Sequence, residues 1–155
     1  MTRVAVAFVD LYVLRPGAAG MEVLVLRRGP GGRCPGSWES VHGHIEPGER
    51  PADTALRELR EEAGLVPDRL YNLSRVEAFY QHQADEVALI PVFVALVGSG
   101  AQARLSAEHD AFEWLPPEGA AQRVTWPRER RAIADAIALL GAGDAGPAED
   151  VLRIC

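Results

Sequence analysis

The sequence predicts one α/β domain, and three observations carry that prediction. Short segments of strand-like alternation flank residues 51–63, which repeat with helical period. A second amphipathic run, at 128–140, follows the last strand-like segment. Finally, no repeat or compositional break divides the 155 residues, of which 48% are hydrophobic and 25% charged, a length and balance that bury a real core.

The elements follow in chain order. Residues 4–14 read as a strand, 15–20 (RPGAAG) as a turn, and 22–28 (EVLVLRR) as a second strand paired with the first in a hairpin. GPGGRCPGS holds four Gly and two Pro and is a loop, after which 38–41 form a short strand. A helix is expected over 51–63, with Pro51 tolerated in its first turn and Gly64 as its stop. At helical spacing Ala52, Ala55, Leu56, Leu59 and Ala63 share an arc of about 100° that faces the core. Glu58, Glu61 and Glu62 occupy the adjacent arc and repel one another. Arg57 and Arg60 are expected to point mostly elsewhere, which leaves a bound cation as the relief. Residues 70–81 and 87–97 read as strands around QHQAD, and Pro91 predicts an edge or a bulge within the second. A loop over 98–105, a strand over 109–115 stopped by Pro116-Pro117, and the helix over 128–140 complete the set. The domain is expected to span 1–141, with 142–155 as a partly ordered tail.

A formal charge of −6 argues against broad binding of a nucleic-acid polymer, which needs a basic face. An acidic protein still binds a small phosphorylated ligand when metal ions bridge the two. Cys34 and Cys155 lack a CxxC or His-rich setting and read as free thiols in a reducing cytoplasm. The first fourteen residues briefly imitate a signal peptide, but Asp10 interrupts them and no cleavage site follows. No stretch is long enough to span a membrane. The expected location is cytoplasmic.

The chemistry concentrates between Gly43 and Leu65. Gly43, five residues, Glu49, seven residues, then Arg57-Glu58-Leu59-x-Glu61-Glu62-x-Gly64-Leu65 resembles the signature of the Nudix hydrolases, with every fixed position filled. The resemblance implies an α/β/α sandwich with a mixed β-sheet. It also implies Mg²⁺- or Mn²⁺-dependent hydrolysis of a nucleoside diphosphate linked to another moiety. By that resemblance Glu58, Glu61 and Glu62 bind metal, one of them instead orienting or deprotonating water. Glu49 and Arg57 brace the loop against the helix, and the backbone carbonyl of His42 completes the metal site. Phosphoanhydride chemistry independently favours such a set, because carboxylate-held cations neutralise the phosphates and lower the pKa of bound water. A glutamate among cations stays ionised and can accept a proton.

A second, narrower resemblance covers SAEHDAFEWLPPEGA with Trp126, Arg130 and Ala132-Ile133, which is similar to the dihydroneopterin triphosphate and dATP pyrophosphohydrolases. It implies that Glu108 supplies a metal ligand from outside the box; Glu86 is its rival, and Glu113 ranks last. For the substrate, Trp38 either stacks on a base or packs the core, and Arg27 and Arg28 either meet phosphate or end a solvated strand. Tyr80 closes a strand near a pocket wall, beside Gln81 and His82. The imidazoles of His42 and His44 rank below the His42 carbonyl, because hard cations prefer oxygen. The leading expectation is hydrolysis of a nucleoside triphosphate or related nucleotide, releasing pyrophosphate or a monophosphate. ADP-ribose or another nucleoside diphosphate sugar, and dinucleoside polyphosphates, are alternative substrates. A nucleotide sensor without turnover is the third reading, weakened by so many repelling carboxylates. A homodimer stays open.

Overall fold

Strand alternation decides the layering. The computed structural model describes all 155 residues. Along β2 (Phe8–Gly17), Val9, Leu11 and Val13 bury into one layer, and Tyr12 and Leu14 into the other. The first layer holds α1 (Pro51–Ala63) through Ala55, Leu59 and Ala63. The opposite layer holds α2 (Pro117–Arg123) and α3 (Pro127–Leu140) through Ala120, Ala132, Ile133, Ala136 and Leu140. Between them lies one mixed eight-stranded sheet, so the architecture is the expected α/β/α sandwich.

The remaining strands are β1 (Arg3–Val6), β3 (Gly20–Arg28), β4 (Trp38–Glu39), β5 (Val41–His44), β6 (Arg69–Gln81), β7 (Glu86–Leu96) and β8 (His109–Leu115). β1 and β2 run parallel to β7, and the other pairings are antiparallel. The hairpin of β2 with β3 forms as expected, closing at Gly17 and Gly20.

Three expectations need correction. The strand over 4–14 is two strands, because the chain breaks at Ala7, where its register along β7 slips by one residue and β5 joins as a further partner, with Ala7 accepting the Ile45 N–H. The strand over 38–41 likewise breaks at Ser40, where β4 leaves β3 and β5 joins β2. Pro91 does not mark an edge: β7 lies inside the sheet, and Pro91 sits where its pairing with β1 ends at Leu89 and that with β2 begins at Val92. The missing amide thus falls in a gap of the ladder, and the register shift lies across from it, between Asn72 and Val76 of β6.

Helix α1 has the expected bounds. Gly64 ends it in the left-handed region at φ 66°, donating its N–H to the Arg60 carbonyl. α2 was not expected; it is short and carries one buried residue, Ala120. After α3 the chain makes a 3₁₀ turn (Gly146–Ala148) and a short helix α4 (Glu149–Leu152), and Ile154 donates to the Leu70 carbonyl beside β6. No helix is long and apolar enough to cross a membrane.

Candidate active site

The site is assembled where α1 crosses β5, and a loop and a helix are first tied together by one arginine. Arg57 grips Glu49 with two parallel bonds, Nε to Oε2 at 2.8 Å and Nη2 to Oε1 at 2.9 Å. Thr54 Oγ1 and the Glu46 N–H also donate to that carboxylate. The Arg57 bonds, seconded by Thr54, hold the Glu49 pKa down at about 2. The same guanidinium donates to the His44 carbonyl at 2.9 Å, to Glu58 at 2.8 Å and to Glu61 at 3.1 Å. The expectation that Arg57 points away from the glutamates is therefore corrected. A helical wheel places its Cα, but its long side chain folds back across the face.

The glutamates differ in setting. Glu61 is 57% exposed at its side chain. Glu58 packs on Gly43 so closely that a Cβ there would lie 2.2 Å from its carboxyl carbon, which is why the box needs glycine at that position. Burial raises the Glu58 pKa, opposed by Arg57 and reinforced by Glu61 and Glu108. Glu62 is 3% exposed and accepts the His42 N–H at 3.3 Å. Burial, then the charge of Glu58 and the adjacent Glu108, push its pKa up to about 10. No arginine reaches it to offset that cost.

Glu108 arrives from the loop before β8, held by the Gly29 N–H donating to its carbonyl at 2.9 Å. Ligand atoms of Glu62, Glu108 and His109 lie within 4.8 Å of one another. His109 is fully buried at its side chain, with Nε2 3.0 Å from Glu39 Oε2 and no partner for Nδ1. Arg28 Nη1 reaches the same Glu39 oxygen at 3.1 Å. Sequence reasoning missed His109 and Glu39. They meet across 70 residues, and the one available signal was that His109 follows Glu108.

The other expected residues separate. Arg28 borders the cluster, but Arg27 pairs with Asp110 at 2.7 Å and lies over the Trp38 ring. Trp38 packs against the layer of α2 and α3, with Arg123 on its ring. Tyr80 lies half-exposed near the β6–β7 turn and donates to Asp85. Glu86 pairs with Arg3, and Glu113 with Arg123. His82 is in the exposed turn.

Behind β5 lies a second polar group, facing the α3 layer. His42 donates Nδ1–H to buried Asp10 at 2.7 Å, and Arg128 Nε donates to Asp10 at 3.0 Å. Burial opposes the ionisation of Asp10, yet His42 and Arg128 together hold its pKa below the ordinary value. Glu129 accepts both the N–H and the hydroxyl of Ser40, at 2.7 and 2.6 Å. With the His42 ring so engaged and stacked on Phe8, its main chain is what faces the carboxylates.

Mutually repelling oxygen donors gathered around a buried Glu62 that no arginine meets are the chemistry of a hard divalent-cation site, so the residues present fit one. Comparison with known proteins agrees. The NUDIX domain model matches residues 1–136. The chain is 37% identical over 133 residues to an octanoyltransferase of Myxococcus xanthus, covering 84% of this chain and 36% of that protein. It is 36% identical over 87 residues to the asymmetrical bis(5'-nucleosyl)-tetraphosphatase of Mus musculus, covering 55% and 59%. This chain thus matches less than two thirds of the length of either relative. Among solved structures, a C. elegans Ap4A hydrolase binary complex superposes with a TM-score of 0.74 at 23% identity, over 89% of this chain and 99% of that one.

Proposed function

Because this chain belongs to the Nudix family, we propose that it hydrolyses a phosphoanhydride of a nucleoside triphosphate or related nucleotide, with Mg²⁺ or Mn²⁺ as cofactor. The observation that carries the reading is the convergence of Glu58, packed on Gly43, with buried Glu62 and the exposed Glu108, whose charges raise one another's cost of ionisation. Residues 1–141 form the catalytic domain in this reading.

Glu58, Glu62 and Glu108 hold the cation, with the His42 carbonyl as a further oxygen. When bound, it neutralises phosphate charge and makes water acidic enough to act as nucleophile. Glu49 and Arg57 fix the loop on the helix, and Arg57 orients Glu58 and Glu61 directly. One helical glutamate takes the proton from the attacking water instead of holding the cation, and in this reading it is Glu61, the most exposed of the three. Arg28, on the cluster's border, meets a substrate phosphate in this reading. Trp38, Arg27 and Tyr80 act on the substrate only if it extends beyond the carboxylate cluster.

A dinucleoside polyphosphate is the second substrate reading, supported by the tetraphosphatase relative. Both readings are tested by turnover of a nucleotide panel with Mg²⁺, comparing wild type with Glu62→Gln. The expected outcome is loss of turnover in a folded variant. Undiminished turnover would sink the metal-site assignment, and absence of turnover on every nucleotide by wild type, with tight nucleotide binding, would leave a sensor instead.

A further inference from the structure

We propose that His109 is a nitrogen ligand in the cation site, held in its ligating tautomer by Glu39 and Arg28. The inference rests on the carboxylate site of the proposed function and goes beyond it, because it makes the donor set mixed.

An ionised carboxylate only accepts hydrogen bonds. Glu39 Oε2 already accepts from Arg28 Nη1 at 3.1 Å, so the same oxygen, 3.0 Å from His109 Nε2, meets a ring N–H there. In the tautomer with its one proton on Nε2, the lone pair sits on Nδ1. That atom is buried and has no hydrogen-bond partner, an unmet polar group that is costly to keep away from water unless something else satisfies it. A ring nitrogen of His109 lies within 4.8 Å of carboxylate oxygens of Glu62 and Glu108, a span that a single ion bridges. A cation bound there through Nδ1 would satisfy the orphaned nitrogen and offset the repulsion between the two glutamates at once. The order carboxylate, imidazole, metal is the arrangement by which proteins orient histidine ligands, the outer carboxylate setting both tautomer and ring angle. Imidazole nitrogen suits Zn²⁺, Fe²⁺ and Ni²⁺ better than Mg²⁺, so His109 biases the site toward those ions, and Mn²⁺ serves as the paramagnetic probe of the same donor set.

The test uses the full chain, freed of metal and titrated with Mn²⁺, with pulsed EPR reading nitrogen bound to the ion. Wild type is expected to show directly coordinated ¹⁴N. His109→Gln is expected to lose that signal and to bind Mn²⁺ about ten- to hundredfold more weakly, with a smaller change for Mg²⁺. Glu39→Gln is expected to keep the nitrogen signal and weaken Mn²⁺ by about tenfold or more. A nitrogen-free spectrum of Mn²⁺-loaded wild type overturns the proposal and leaves the carboxylate site standing. Failure of wild type to bind Mn²⁺ or Mg²⁺ overturns both. Should His109→Gln not fold, the chain has only three other histidines, His42, His44 and His82. The signal must then survive their replacement by Gln, and its loss there would reassign the ligand.

Discussion

Replacing Glu129 by Gln isolates a single buried carboxyl as a source of pH-dependent instability. Glu129 is 1% exposed, its Oε1 accepts two bonds from Ser40, and its Oε2 has no partner. Burial and the nearby charge of Asp10 outweigh Ser40 and Arg128, raising its pKa from an ordinary 4.5 to about 7. Because the folded value lies above the unfolded one, the folded state binds this proton more tightly. Its contribution to stability is whole below about pH 4.5 and is lost as pH rises through about 7. The difference corresponds to about 3 kcal/mol by pH 8.5. Glutamine keeps the acceptor for Ser40 and carries no charge. Glu129→Gln should therefore match wild type near pH 4.5 and exceed it at pH 8.5. The expected gain in melting temperature there is about 6–12 °C, at 2–4 °C per kcal/mol for a chain of this size. The assay is thermal unfolding of both proteins in chelator across that pH range. Parallel pH dependences for the two, or a variant less stable at pH 8.5, would refute the account.

Two further substitutions probe the box. Gly43→Ala drives a methyl into Glu58 and should cost about 1–3 kcal/mol of stability and about 100-fold in turnover, read by melting and steady-state rates. Arg57→Lys keeps the charge but loses the fork that spans Glu49, Glu58 and Glu61; it should lower kcat about tenfold or more and weaken Mn²⁺ binding, and unchanged values for both would remove the brace from the mechanism.

What was legible in the sequence was local. The spacing from Gly43 to Leu65 fits one loop and one helix, whose bounds Pro51–Ala63 follow from a proline, a glycine and helical period. The separation of Glu58 and Glu62 from the core face follows from the same period. Contacts across layers were not legible. Whether Glu39 or its neighbour Trp38 faces the site depends on which layer each side of a two-residue strand meets, and nothing in the local pattern says so. Glu39 finds His109 only because β4 and β8 flank β3 at Leu26. Of the two readings of Pro91, the irregular pairing is there, across from it in β6, and the edge is not, because the gap that accommodates it is made by two other strands changing places.

The pairing of Asp10 with both His42 and Arg128 has a consequence for how variation spreads through this molecule. β5 is gripped from behind by a charge pair, while its amide at the same residue meets Glu62 in front. One strand thickness is all that separates the N-terminal turn of α3 from the carboxylates. A lineage that altered Arg128 would thus be acting on the strand that carries Gly43 without changing any of the glutamates it faces.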